Sequence, residues 1–363
     1  MAAKSIIATL KDVVADFFSV TPHVVLGTGT SCAVDVGFGM GKLQEALLSG
    51  VDERALHKDS VRQWRHVKAE LAKGKDLETA LNAASTPELQ QVILKVTYNT
   101  VAGYDQKYSA EICLGKVEWP AMAILKKIYK GLSAADDYGM SVITTNYDLL
   151  IEYACAANGI NCVDGFCGGV IRGRDWDAVR RGLKHPVEIF TGKKKQIKWE
   201  FNRHVQLYKV HGSLNWFMLN GSVIENDIWV HSGAPGLERV MITPGLAKYR
   251  KMQDFRKELQ SDTDKEVDRA KRFLFLGYGM NDAHIERYIV KRVVDEMLPT
   301  LIITRDLNAR VDKFACGNKC VMVFCGMKNP DNGTRVFCPQ LGGWQEIPGK
   351  CLWDFSEFSK QLM

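Results

Sequence analysis

Seven short runs of β-branched and aliphatic residues punctuate the chain, and few architectures accommodate them. They are HVVLG (23–27), SVITT (141–145), VQLYKVHG (205–212), RVMIT (239–243), RFLFLG (272–277), TLIIT (300–304) and VMVFC (321–325). Most lack the apolar–polar alternation of a half-exposed strand, so they fit strands covered on both faces, as in a parallel sheet. Helical spacing lies between them, at about 4–18, 42–48, 52–73, 76–98, 119–133, 148–157 and 282–298. Strands alternating with helices predict an α/β fold with a doubly wound parallel sheet, here a single domain over 1–363. The spacing is uneven. Residues 45–138, between the first two runs, read almost wholly as helix and predict a large helical insertion. A basic, irregular excursion is expected over 160–204, and the closing CLWDFSEFSKQLM reads as a final helix packed on the body.

Composition excludes several classes. An apolar content of 46% with 25% charged residues is that of an ordinary globular protein. No apolar run approaches the roughly 18 residues of a membrane span, and the start reads as an amphipathic helix rather than a signal peptide, so a cytoplasmic location is expected. Ten cysteines are scattered without a C-x-x-C pair. Cys316, Cys320, Cys325 and Cys338 come nearest to a cluster, but unpaired thiols in a reducing compartment are the favoured reading over a metal site. Residues 172–203 carry ten Lys/Arg against four acids, which accounts for the whole net charge of +6. Two readings stand: an anion contact, to nucleic acid or an acidic partner, and a solvated loop. Without a nucleic-acid-binding motif the solvated loop is favoured.

In open α/β sheets ligands bind beyond the carboxyl ends of the strands. Four runs end in polar corners. The first gives LGTGTS, where Gly27 and Gly29 allow backbone N–H groups close to a ligand and Thr28, Thr30 and Ser31 add hydroxyls, a loop able to cradle phosphates. The second gives TTNYD, with Thr145, Asn146 and Asp148; one of the last two is expected to cap the following helix, which leaves the other unexplained. The third places His211 before Gly212 at the sheet's rim. The fourth, GYGMND, again allows close backbone approach at Gly277, followed by Tyr278, and Asp282 stands ready to cap a helix. Each signal alone has an ordinary structural explanation; their order along the chain does not.

In that order the sequence resembles the sirtuin-like (silent information regulator) family. GTGTS is similar to that family's Gly-Ala-Gly-x-Ser loop, TTNYD to Thr-Gln-Asn-x-Asp, VHGS to the His-Gly motif, and GYGMND to the Gly-Tyr-Ser-x-x-Asp version of the bacterial antiphage-defence branch. The resemblance implies a Rossmann-like fold with NAD+ as substrate. It further implies that Asn146 positions the attacking water, that Asp148 meets the carboxamide or positive charge, and that His211 acts as base or ribose-hydroxyl partner. Gly27, Thr28, Gly29, Thr30 and Ser31 would hold the pyrophosphate and Gly277 and Tyr278 the adenosine side, with Thr145 and Asp282 completing the binding set and Arg305 standing where the family has an adenosine-contacting Asn. The zinc ribbon of the classical deacylases has no counterpart, so no zinc is expected.

Nicotinamide leaves NAD+ as a neutral amide, so its expulsion needs no general acid. A site must instead stabilise the ribose cation and position a nucleophile, which suits Asn, Asp and His. The leading expectation is an NAD+ glycohydrolase that depletes NAD+ in antiphage defence. The rivals are a sirtuin-type deacylase or ADP-ribosyltransferase, an NAD/ADP-ribose-binding sensor, and a nucleic-acid-acting subunit working through 172–203. Control by assembly is expected, as a homo-oligomer, and the resemblance implies a HerA-type ATPase partner.

Overall fold

The computed structural model describes residues 3–191, 194–242 and 253–363. Its centre is a nine-stranded sheet. Across it run Val321–Gly326, Thr300–Ile303, Phe273–Leu276, His23–Leu26, Gly139–Thr144, His204–Lys209 and Cys162–Val163, all mutually parallel. Two antiparallel strands, Gly333–Cys338 and Gly343–Pro348, finish one edge. The doubly wound α/β expectation therefore holds, with an antiparallel edge that the runs of apolar residues did not signal.

Alternate residues of each strand feed opposite cores. Leu26, Val142, Leu207, Leu276, Leu301 and Phe324 belong to one, packed with the helices Ala3–Phe17, Met122–Gly131, Leu150–Ala157 and Phe355–Leu362. Val25, Ile143, Tyr208, Phe275, Ile302 and Val323 belong to the other, packed with Ala283–Glu296 and Ala309–Cys316. Burial on both faces is why the strands show no alternation.

Helices from Met40–Gly50 to Met122–Gly131 lie between the first and second strands. Part of this region has a core of its own, built from Leu47, Trp64, Val67, Leu81, Leu89 and Ile93. The periodicity over 76–98 predicts one helix, but the structure has two, Leu77–Leu81 and Pro87–Cys113. Pro87 occupies the first turn of the second, where its missing N–H costs nothing, and it could not continue the first.

Three further expectations change. The run over 205–212 ends as a strand at Lys209, and Gly212, with φ +84°, turns the chain into Gly212–Leu219 of a second, five-stranded antiparallel sheet. A side chain there would stand 2.1 Å from the Val240 carbonyl oxygen, so only glycine fits. The 239–243 run joins that second sheet as Glu238–Met241, antiparallel to Gly212–Leu219, rather than the parallel one; Thr243 lies outside the described residues. Antiparallel neighbours need no crossover helix, and a chain that leaves the main sheet pairs with itself by short connections. The 160–204 segment is not irregular: it contributes Phe166–Gly168 and Arg172–Arg174 to the second sheet and a ribbon of Lys184–Thr191 with Lys194–Phe201.

Candidate active site

Parallel register lines up the polar corners. Leu26 is paired with Thr144 and with Leu276, Thr144 with Lys209, and Leu276 with Ile303. Thr28, Asn146, His211, Tyr278 and Arg305 each stand two residues beyond one of these paired positions. Five adjacent strands thus deliver one residue each to the same level above the sheet. The first strand sits between two neighbours that both follow it in the chain, Gly139–Thr144 on one side and Phe273–Leu276 on the other, each after a long connection, so the strand order reverses there, the place where open sheets form a ligand crevice.

The glycine loops serve first to pack against each other. Gly29 N–H donates to Gly277 O at 2.9 Å, and Gly27 N–H to Leu276 O at 3.0 Å. A Cβ on Gly27 would meet Gly277 O at 2.5 Å, and one on Gly277, where φ is +58°, would meet Thr30 N at 2.5 Å. The amides of Thr30 and Ser31 return to Gly27 O and Thr28 O. The expected phosphate cradle is therefore closed by its own hydrogen bonds at Gly27, Gly29, Thr30 and Ser31, because the two glycine loops satisfy each other's backbone.

The hydroxyls also turn inward. Thr30 Oγ1 donates to Gly27 O at 2.8 Å, and Ser31 Oγ donates to Asp148 Oδ2 at 2.7 Å. Asn146 Nδ2 lies 3.0 Å from Ser31 Oγ, 3.2 Å from Gly27 O and 3.3 Å from Thr30 Oγ1. Its amide is held on one side by the first loop, while Oδ1 is buried with no hydrogen-bond partner. An orphaned carbonyl oxygen of this kind calls for a ligand or water donor. Thr145, beside it, is half-buried.

Asp148 does not face that opening. One oxygen accepts from Ser31 and the other from Leu150 N–H at 3.3 Å, so it supports the corner and the helix start from within. Burial pushes its pKa up, and the nearby Lys209 charge opposes the shift. Lys209 itself is buried, its Nζ donating to Asp148 O and to Glu152 Oε1 at 2.6 Å each. Burial raises Glu152 to about 7, again against the pull of Lys209.

His211 Nε2 lies 2.8 Å from Asp282 Oδ2. Asp282 directly precedes the helix Ala283–Glu296; its side chain reaches His211, and its own N–H donates to Glu286 Oε1 at 2.6 Å. The Tyr147 ring stands 6.4 Å from the imidazole and its hydroxyl donates to Ile242 O. A small cavity of about 30 Å³ borders His211, Gln260, Thr263 and Asp264, room for about one water molecule. Tyr278 is buried with its ring against Phe275. Arg305 is half exposed and its guanidinium is held by Asp306, so the adenosine-side role expected of it is not prepared by this geometry. Asn308, three residues on, does face the corners: its Nδ2 donates to Gly279 O at 2.6 Å and its Oδ1 caps the next helix.

Asp105, from the long helix Pro87–Cys113, is a contact the sequence did not signal. Fully buried, it accepts from Leu149 N–H and Tyr153 Oη at 2.8 Å and lies 2.7 Å from His231 Nε2. It caps the helix after TTNYD from outside, where that helix has no side-chain cap of its own. Trp119 Nε1 likewise donates to Thr30 O at 3.0 Å. No signal short of the fold announces either residue, since an aspartate and a tryptophan on helices have many ordinary uses.

Residues 140–305 match a family described as SIR2-like domain. The SIR2-like match contains Asn146, His211, Gly277 and Asp282, and it begins after the Gly27–Ser31 loop. No curated protein matches the chain. Among solved structures, a mutant Sir2 homologue in complex with 2'-O-acetyl ADP ribose is similar at 16% identity, covering 83% of this chain and 87% of that one with a TM-score of 0.36. Among the described residues no group of three or more His, Cys, Asp or Glu side chains is placed to hold a metal ion, and no helix is long and apolar enough to cross a membrane.

Proposed function

We propose that this chain hydrolyses NAD+ to nicotinamide and ADP-ribose. The observation that carries the reading is the clamped Asn146 amide, whose buried Oδ1 lacks a partner, at the same register level as the His211–Asp282 pair. The SIR2-like match over the same corners supports it. In the overall reaction the ribose C1′–N bond breaks with its electron pair leaving on nicotinamide. Water supplies the new C1′–O bond and a proton is released.

The roles follow from donors and acceptors. Asn146 Oδ1 accepts a hydrogen bond from the attacking water or a ribose hydroxyl and so fixes its direction. An ionised Asp282 holds the His211 proton on Nε2, which leaves Nδ1 to take a proton from that same group. Ser31 and Asp148 keep the Asn146 amide from rotating. Depletion of NAD+ during phage infection is the setting that this reading carries over from the resemblance.

The test is product analysis by chromatography after incubation with NAD+, with and without an acylated peptide. Nicotinamide and ADP-ribose are expected in equal amounts, independent of peptide. Asn146→Ala and His211→Ala are each expected to lower turnover by about 10²–10⁴ with an unchanged circular dichroism spectrum. Acyl transfer to ADP-ribose only when peptide is present would replace hydrolysis by deacylation. Parental turnover in both variants would sink the site assignment.

A further inference from the structure

The ribbon of Lys184–Thr191 and Lys194–Phe201 forms a two-stranded sheet of its own, paired from Lys184 with Phe201 to Thr191 with Lys194. At eight residues a strand it is roughly 27 Å long. Residues directly opposite each other share a face. One face therefore carries Pro186 with Trp199, Glu188 with Ile197, and Phe190 with Lys195. On it Phe190 is 71% exposed and Ile197 and Trp199 are each 62% exposed, a continuous apolar stripe in water. A lone two-stranded ribbon is marginally stable, and exposed stripes of this kind mark contact surfaces.

The charges on the arm narrow the partner. The concentration of Lys and Arg over 172–203 is compatible with a polyanion, but four of the ten are taken up in ion pairs of the fold. Arg172 pairs with Glu225 and Asp227, and Arg174 with Glu258 and Asp262. Lys195 is bound to Glu188 at 2.6 Å and Lys198 to Glu200 at 2.9 Å, while Lys184 stands over the Phe201 ring. Lys193 lies outside the described residues. Binding a nucleic-acid backbone takes a track of cations free to neutralise phosphates. The apolar face instead holds the internal Glu188–Lys195 pair, and its further cation, Lys184 opposite Phe201, stands over that ring.

We infer that this arm is a self-association surface, on which the stripe of a second copy of this chain packs face to face. The pattern is self-complementary. A two-fold axis along the arm brings Glu188 of one copy toward Lys195 of the other, and the reverse, with the apolar residues between them. Phe190, Trp199, Ile197 and Pro186 offer on the order of 500 Å² per copy, so two copies bury about 1,000 Å², the lower limit for a specific interface. An interface of that size is reversible on dilution. The inference does not depend on the chemistry proposed for the strand ends.

Sedimentation velocity of the full chain across about 1–100 µM tests it, a range that spans the dissociation constant of a small interface. The parent is expected to pass from monomer to dimer within that range. Phe190→Ser with Trp199→Ser is expected to raise the dissociation constant at least tenfold, and Lys194→Gln with Lys198→Gln to leave it within about twofold. If the serine variant loses its circular dichroism spectrum, Ile197→Lys takes its place, since it adds like charges across the two-fold axis on an exposed position. A monomer at every concentration overturns the inference, as does a dimer unaffected by these changes. Binding of a fluorescent single-stranded oligonucleotide that the lysine variant abolishes, with no dimer in the parent, would make the arm a nucleic-acid contact instead.

Discussion

Replacing Asp105 by Ala should loosen the corner that carries Asn146, although Asp105 lies far from it in sequence. The carboxylate is fully buried and is the acceptor for Leu149 N–H, Tyr153 Oη and His231 Nε2. Removing it strands three donors at about 1–3 kcal/mol each when they stay dry. Tyr153 and His231 are half-buried and recover water, so they count at the low end, while the Leu149 amide counts in full. The sum is about 3–5 kcal/mol, a large share of the roughly 5–15 kcal/mol that holds a domain folded. Asp105→Asn keeps one acceptor oxygen but turns an NH₂ toward a donor, and should cost about 2 kcal/mol. Urea unfolding measures both, and hydrogen exchange at the Leu149 amide reports the local loss. NAD+ turnover should fall in Asp105→Ala because the residue three places before Leu149 is no longer held. A change below 1 kcal/mol with unaltered Leu149 protection would refute the claim that the helical segment braces this corner.

Asp282→Asn should lower NAD+ turnover by about 10²–10⁴ while changing KM little, because an amide no longer dictates which imidazole nitrogen carries the proton; steady-state kinetics that show equal loss in KM would assign Asp282 to binding. Gly277→Ala places a side chain at φ +58° and 2.5 Å from Thr30 N, so thermal unfolding should show a loss of at least about 2 kcal/mol, and a neutral result would mean that the two glycine loops separate easily. Burial raises the Glu266 carboxyl, but the His23 ring 3.8 Å away, the hydrogen bond from Ser141 and the charge of Arg269 outweigh it and hold the group at about 2. Its folded pKa lies below the unfolded value, so its contribution is present above pH 4.5 and is lost as pH falls toward 2. Arg269 is largely exposed, so the expected size is about 2 kcal/mol; urea titrations between pH 2 and 6 should show this slope in the parent and a reduced one in Glu266→Gln.

The sequence by itself determined six of the nine strands of the main sheet and the level at which polar residues gather. Both are local properties: a run without alternation is a strand buried on both faces, and a polar residue just past its end stands at the sheet's rim. The position of Asn146 and His211 at that rim was legible for that reason. What each corner residue touches was decided only by tertiary structure. The glycines of the first loop meet Gly277 rather than an open crevice, because backbone amides brought that close satisfy one another. Asp148 turns inward to Ser31, Asp282 turns to His211, and the cap of the helix after TTNYD comes from Asp105. These pairs join segments far apart in the chain, and a carboxylate chooses among several donors by which one folding places within about 3 Å of it. The basic segment carries the same lesson: charge counted along the chain left an anion contact standing beside the favoured solvated loop, while strand pairing put Lys195 and Lys198 in ion pairs and gathered one apolar face.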